Sequence, residues 1–70
     1  MSSDVGLINE LKALRAARGW TQAELAERVG VTRKTINTIE NGVFTPSTIL
    51  ALKLARAFEV PVEAVFRLEG

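Results

Sequence analysis

Five hydrogen-bonding side chains lie at helical spacing in one short stretch of the chain. They are Thr32, Arg33, Lys34, Asn37 and Thr38. An arginine or lysine at a helix start can donate to guanine O6 and N7, a contact worth about 1–3 kcal/mol of discrimination between bases. The set therefore has the chemistry to contact the edges of DNA bases.

The competing interpretation is that Arg33 and Lys34 form an ordinary solvated first turn. Positive charge at a helix N-terminus opposes the helix dipole, at a cost of about 0.3–1 kcal/mol for each exposed residue. Selection for stability alone would favour acids there. Residues 28–39 contain three basic residues and no acid, although the net charge is only +1. Positive potential is thus concentrated where this helix begins, which favours a nucleic-acid contact.

Two short helices joined by a tight turn, within residues 22–41, must position these side chains. Apolar residues at helical spacing bury the pair against each other. They are Leu25, Ala26 and Val29 in the first helix and Ile36 and Ile39 in the second. Gly30 lies between the helices, where a left-handed backbone conformation is cheap only for glycine. Gly30 is therefore the predicted turn.

Three helix starts carry capping signals. Thr21 and Glu24 have the spacing of a capping box, and Thr32 repeats the device before Arg33. The pair Thr45–Pro46 predicts a third start, because proline suits the first helical position. The stretches 22–29, 33–41 and 46–58 are thus predicted as helices 2, 3 and 4, with Phe44 packing on Ile49 at the last start.

The stretch 22–41 resembles the helix-turn-helix of the lambda-repressor and Cro superfamily, the Xre family of transcriptional regulators. The resemblance extends over roughly residues 9–66. The matching residues are Gln22, the pair Leu25–Ala26, Val29–Gly30–Val31, Ile36, the closing Ile39–Glu40–Asn41–Gly42, and Thr45–Pro46–Ser47 with the helix over 51–58. The resemblance implies a sequence-specific regulator that places helix 3 in the major groove and binds near-palindromic operators as a two-fold dimer.

The same resemblance implies which residues touch the DNA backbone. In the family, the glutamine at the position of Gln22 holds a phosphate together with the backbone amides of its helix start. Arg15 and Glu40 match an arginine and a glutamate that pair across helices 1 and 3, so that Arg15 is aimed at the phosphates. A surface pair of this kind would contribute only about 0–1 kcal/mol. Asn41 is interpreted both as a helix C-cap and as a phosphate contact, which are compatible roles.

The remaining segments complete an all-α, compact five-helix domain with at most a small terminal pair of strands. Residues 9–18 form predicted helix 1, ended by Gly19. Its start is open, because Asp4 could cap a longer helix or residues 5–8 could be a strand with Asn9 as cap. Pro61 starts a last helix over residues 62–65, and residues 66–69 alternate as an edge strand would.

Composition limits the function classes. Seventy residues form one domain, and the chain has no cysteine and no histidine. The usual metal ligands and the usual general base are therefore missing, and no metal, no cofactor and no enzymatic activity are expected. No apolar run approaches the length that spans a membrane, so we expect a cytoplasmic protein. Trp20 could stack on a base, but its place before the Thr21 cap favours packing in the core.

A C-terminal dimerisation segment is predicted at about residues 60–69. Helix 4 is apolar nearly all round, and it has more apolar surface than a thin single core can cover. The residues expected in a two-fold interface are Val62, Val65, Phe66 and Leu68, with residues 5–8 beside them as a strand. The alternative is a monomer in which Phe66 folds back into its own core.

The predicted partners are double-stranded DNA and a second copy of the chain. The alternative function is an antitoxin, in which the DNA-binding domain also holds a toxin. Antitoxins of the resembled family often carry an extra segment for the toxin. A chain that stops at Gly70 makes that alternative weaker than the plain regulator.

Overall fold

Five helices and one antiparallel strand pair make up the part of the chain, residues 6–69, that the computed structural model describes. In chain order they are β1 (Leu7–Asn9), α1 (Leu11–Arg18), α2 (Gln22–Val29), α3 (Arg33–Glu40), α4 (Thr48–Phe58), α5 (Val62–Val65) and β2 (Phe66–Leu68). The predicted five-helix fold with a small terminal sheet is confirmed. No helix among these residues is long and apolar enough to cross a membrane.

The helix-turn-helix forms where the capping signals place it. Thr21 Oγ1 accepts from the Glu24 amide at 3.0 Å, and the Glu24 carboxylate accepts from the Thr21 amide at 2.8 Å. Thr32 Oγ1 accepts from the Thr35 amide at the start of α3. Gly30 ends α2 in the left-handed conformation, with φ of 76°. These interactions connect residues close in sequence, which is why the sequence predicted them correctly.

The start of α4 differs from the prediction. Its N-cap is Ser47, whose Oγ accepts from the Leu50 amide at 3.1 Å, and the helix begins at Thr48. Ser47 offers the same capping hydroxyl as Thr45 and leaves Pro46 before the helix, where its fixed φ is also accommodated. Phe44 and Ile49 are both exposed, so the predicted packing of one on the other does not protect them from solvent.

The start of α1 resolves the alternatives left open by the sequence in favour of a strand. Asn9 belongs to β1, and α1 begins at Leu11 after Glu10. In the sheet, Leu7 pairs with Leu68 and Asn9 with Phe66. Asn9 Oδ1 still accepts from the Leu11 amide at 3.2 Å, so it supports the helix start from outside. The other proposed cap, Asp4, and the first residue of the predicted strand, Val5, lie outside the described residues.

One apolar core joins the helices. Its buried members are Leu11, Leu25, Ala26, Val29, Ile36, Ile39, Leu50, Leu54, Ala55, Phe58 and Val65. Trp20 packs against this core and stacks on Phe58, with 5.3 Å between ring centroids. The Arg28 guanidinium covers the Trp20 ring at 4.0 Å from its centroid. Trp20 is therefore a packing residue, as its sequence position indicated.

Candidate nucleic-acid interface

α3 is held by its apolar side and presents its polar side to solvent. Ile36 and Ile39 are buried, whereas Arg33, Lys34 and Asn37 on the opposite side are exposed. Because α3 packs on α2 through these isoleucines, the polar face has a fixed direction relative to the rest of the domain. A rigid, solvent-facing helix of this kind can enter a groove without reorganising.

The positive charges at the start of α3 have no ion partner within residues 6–69. The ion pairs there involve Arg15, Arg18 and Arg67, and none involves Arg33 or Lys34. Both side chains are exposed and therefore free to donate to an external acceptor. Thr32 is also exposed, although its Oγ1 already accepts the Thr35 amide.

Arg15 and Glu40 form the cross-helix pair that the resemblance implied, in a more buried setting than expected. Arg15 Nε–H and Nη2–H donate to the two Glu40 carboxylate oxygens at 2.6 and 3.0 Å. The side chains are only 14% and 6% exposed, so the expectation of a surface pair is wrong. The third donor, Nη1–H, bonds the Trp20 carbonyl at 3.0 Å. Arg15 is thus bonded on three of its nitrogens within the protein.

The ionised form of this pair is stabilised on both sides. Burial by itself raises the pKa of Glu40, but the hydrogen bonds from Arg15 and Gln22, together with the positive charges of Arg15 and Lys12, outweigh it and hold the pKa below its ordinary value. The hydrogen bond to Glu40 raises the pKa of Arg15 above its already high value. The pair therefore stays charged across neutral pH.

Gln22 joins this pair to the polar face of α3, a contact that sequence reasoning missed. Gln22 Nε2 donates to Glu40 Oε1 at 3.0 Å, and Asn37 Nδ2 lies 3.5 Å from Gln22 Oε1. Asn41 Nδ2 in turn donates to Asn37 Oδ1 at 3.2 Å. We call Arg15, Glu40, Gln22, Asn37 and Asn41 the polar chain. It links the first turn of α2 with α1 and with the C-terminal half of α3.

The polar chain could have been predicted only from knowing where α2 and α3 cross, which the sequence does not show. Gln22 and Glu40 are 18 residues apart, at the first turn of α2 and the last turn of α3. Helical periodicity places each on a polar face without showing that the two faces meet. The resemblance gave the Arg15–Glu40 pair but not its link to Gln22.

Thr38 and Asn41, near the C-terminal end of α3, differ in exposure. Thr38 is half-buried, and its hydroxyl donates to the Thr35 carbonyl at 2.9 Å. Asn41 is the C-cap of α3, as predicted, and Gly42 follows with φ of 74°. Asn41 remains exposed, so its side chain can still reach an external group.

The predicted dimerisation residues divide into two kinds. Val65 is 0% exposed in the core of its own protomer, so its assignment to an interface is wrong. The periodicity of a four-residue helix did not show which side the protomer itself covers. Val62 and Phe66 are half-buried against the core, and Leu68 is exposed.

Apolar surface surrounds Val62, Phe66 and Leu68. A groove of about 310 Å³ is lined by both strands and by the outer side of α4 and α5. Its apolar members are Leu7, Pro46, Ala51, Leu52, Val62, Phe66 and Leu68. We call this surface the apolar face. Leu52 on it and Ile49 one turn earlier on α4 are exposed, as the apolar sequence of helix 4 led us to expect.

Comparison with known proteins identifies the family. The model of the helix-turn-helix family HTH_3 matches residues 11–65. The uncharacterized HTH-type transcriptional regulator YgzD of Bacillus subtilis (strain 168) is 51% identical over 61 residues, which cover 87% of this chain and 92% of that protein. The antitoxin HipB of Escherichia coli (strain K12) is 33% identical over 58 residues, covering 83% of this chain and 66% of the antitoxin.

A solved structure agrees with this result. The restriction-modification controller protein C.AhdI from Aeromonas hydrophila superposes with a TM-score of 0.74 at 33% identity, covering 79% of this chain and 83% of that one. The family consists of DNA-binding regulators and is not a family of enzymes. The chain therefore belongs to the Xre, or Cro/C1-type, family of helix-turn-helix transcriptional regulators.

Proposed function

We propose that this regulator binds a near-palindromic operator as a homodimer, with α3 of each protomer in the major groove. The observation that carries the proposal is the polar face of α3. It presents Arg33 and Lys34 unpaired within residues 6–69, while buried Ile36 and Ile39 fix its direction. A major groove about 12 Å wide accepts a helix with its side chains. Cytoplasmic localisation stays a prediction.

Base contacts are assigned to the first two turns of α3. Arg33 and Lys34 donate to paired acceptors such as guanine O6 and N7. Thr32 contacts the same base pairs from the N-cap. Asn37 and Thr38 follow one turn later, where hydrogen bonds within the protein already orient both side chains. These two are therefore preorganised contacts.

Phosphate contacts are assigned to the residues at the edges of the helix pair. Gln22 lies in the first turn of α2, where free amide groups and the helix dipole favour an anion. Asn41 lies at the other end of α3. Arg15 has donated one N–H from each nitrogen to Glu40 or Trp20, so only its remaining N–H groups are available to a phosphate. Its larger role is to hold Glu40, and through it Gln22, in place.

The second copy is proposed to cover the apolar face. Two-fold dimers repeat one self-complementary patch on both protomers. The predicted interface residues Phe66, Leu68 and Val62 line this face, and Leu7 and Leu52 line it with them. Val65 supports the face from below as part of the core.

Base readout is tested with Arg33→Ala. We would select the operator from a random pool of duplexes and compare it with a scrambled duplex across a salt series. Loss of a bidentate contact should weaken operator binding by roughly tenfold or more, since it removes about 1–3 kcal/mol of discrimination, and scrambled binding much less. Arg56→Ala is the matched control, because Arg56 is an exposed arginine on α4. Equal losses on both duplexes would remove Arg33 from base readout.

Phosphate contacts should behave differently from base contacts. Gln22→Ala and Asn41→Ala should weaken binding to the operator and to the scrambled duplex by the same factor. A loss confined to the operator would show that these side chains act on base contacts, either directly or by orienting Asn37, with which both form hydrogen bonds.

The similarity to the antitoxin HipB favours a second candidate, in which the chain also binds a toxin. A toxin would compete with the second copy for the apolar face if it bound there. Sedimentation of the protein at micromolar concentration distinguishes the two. A dimer supports the regulator as proposed, whereas a 7.6 kDa species would leave the apolar face free for a different protein.

A further inference from the structure

A second apolar surface borders α3 on the side away from Gln22. A pocket of about 310 Å³ lies between α3 and the loop that follows it. Its lining is Thr32, Lys34, Thr35, Thr38, Val43 and Phe44. Val43 is 78% exposed and Phe44 48% exposed. Two exposed apolar side chains thus lie directly beside the polar face of α3.

The threonines of this pocket have little to donate. The Thr38 hydroxyl proton goes to the Thr35 carbonyl at 2.9 Å. The Thr35 and Thr32 hydroxyls lie 3.1 Å apart and bond to each other. A threonine whose hydroxyl is held against the helix offers its methyl group to a neighbour. This side of α3 therefore presents methyl groups, whereas the start of the helix presents cationic donors.

The loop that completes the pocket is fixed to α3. The amides of Val43 and Phe44 both donate to the Thr38 carbonyl, at 2.9 and 3.2 Å, and the Gly42 amide donates to the Ile39 carbonyl at 3.0 Å. Gly42 makes this turn with φ of 74°. The apolar side chains are thus held in register with the last turns of α3.

We infer that this pocket receives the 5-methyl group of thymine, with Thr38 and Val43 as the residues that recognise it. The inference rests on the proposed entry of α3 into the major groove. Lys34 and Thr32 belong both to the pocket and to the base-contacting surface, so the two surfaces are continuous. Of the four bases, only thymine presents a methyl group in that groove, and threonine methyl groups and apolar side chains are its usual contacts.

The test replaces thymine by uracil, which lacks the methyl group and keeps every hydrogen-bonding atom. Each thymine of the selected operator is replaced in turn, and the binding constant of the full chain is measured. At the thymine that the pocket covers, uracil should weaken binding about fourfold, the effect of one buried methyl group. Uracil elsewhere should have little effect.

Three variants identify the residues responsible. Thr38→Ser removes the threonine methyl and keeps the hydroxyl, and Val43→Ala shortens the loop side chain. Both should bind thymine and uracil equally at that position. Thr38→Val is the matched control, because it keeps the methyl and loses the hydroxyl, and it should keep the preference for thymine. A thymine preference that is unchanged in Thr38→Ser and Val43→Ala would overturn the inference.

Two further outcomes separate the possible failures. If Val43→Ala weakens self-association in sedimentation and leaves the thymine preference intact, the second copy covers this pocket and not DNA. If wild-type protein binds operator and scrambled duplex equally, the proposed base readout itself fails and the inference fails with it. Specific operator binding with no penalty for uracil at any position would reject the methyl contact alone.

Discussion

The polar chain and the apolar face satisfy their own interactions to different degrees. Within residues 6–69 no buried side-chain nitrogen or oxygen lacks a hydrogen-bond partner, and the polar chain joins three helices through such bonds. The apolar face instead leaves Leu52 and Leu68 in solvent. The polar chain finds its hydrogen-bond partners within a single protomer. The apolar face, by contrast, would bury more apolar surface against a partner.

This difference supports the separate tasks that we propose for the two regions. A DNA-reading surface works best when its side chains are already oriented, because ordering them on binding costs free energy. An interface between copies needs apolar area that the protomer leaves uncovered. We therefore expect changes in the polar chain to alter the stability of each protomer, and changes in the apolar face to alter association.

The largest expected effect is that of Glu40→Ala. It leaves the largely buried Arg15 guanidinium without its carboxylate, and removing one partner of a buried pair costs about 3–5 kcal/mol. Urea denaturation at neutral pH measures the loss. Glu10→Ala is the control, because Glu10 pairs with Arg67 at the surface, and an exposed pair contributes about 0–1 kcal/mol. Equal losses would show that burial does not distinguish the two pairs.

The same pair predicts a loss of stability in acid. Because the folded-state pKa of Glu40 lies below its ordinary value, the unfolded chain binds the proton more readily. The contribution of ionised Glu40 to the free energy of unfolding is therefore complete above the unfolded-state pKa and disappears as the pH falls through the folded-state pKa. Wild type and Glu40→Gln should be denatured across an acid pH series. Their difference in free energy of unfolding should shrink as the pH falls. A constant difference would contradict this assignment.

The apolar face should make stability depend on protein concentration. If unfolding is coupled to dissociation of a dimer, the apparent free energy of unfolding rises by about 1.4 kcal/mol for each tenfold increase in concentration. Leu52→Asp should abolish that dependence and leave the helical circular-dichroism signal intact, since Leu52 is exposed in the protomer. Lys53→Asp is the control at the next, exposed position on α4. A wild-type protein whose unfolding is independent of concentration would contradict the dimer.

The outcome of the sequence predictions depends on whether an interaction is local in the sequence or joins distant residues. Thr21, Glu24 and Gly30 were assigned correctly because each acts on backbone groups within a few residues. Ser47 was missed because two capping residues lie close together, and a propensity does not choose between them. Val65 was misplaced and the Gln22–Glu40 bond was not foreseen, because both depend on which faces meet after the chain has folded.

The smallest expected effects come from two helix ends, each formed by a residue in the left-handed conformation. Gly30 ends α2 with φ of 76° and Glu59 ends α4 with φ of 58°. A side chain in this conformation costs about 1–2 kcal/mol, partly offset by the lower unfolded-state entropy of a non-glycine residue. Gly30→Ala should therefore destabilise the protomer by about 1 kcal/mol, with backbone strain as the cause, because a Cβ there meets no atom within 4 Å.

Glu59→Gly reverses that substitution at the end of α4. It should stabilise the protein by about 0.5 kcal/mol, the strain relieved less the entropy of the added glycine. Glu59 also lies 3.8 Å from Arg18 in an exposed pair, so Glu59→Gln is the control that removes the charge and keeps the strained backbone. If thermal unfolding shows Glu59→Gly no more stable than Glu59→Gln, the end of α4 tolerates a left-handed glutamate without strain. Of these two helix ends, only the end of α2, in the helix-turn-helix, would then require glycine to turn the chain.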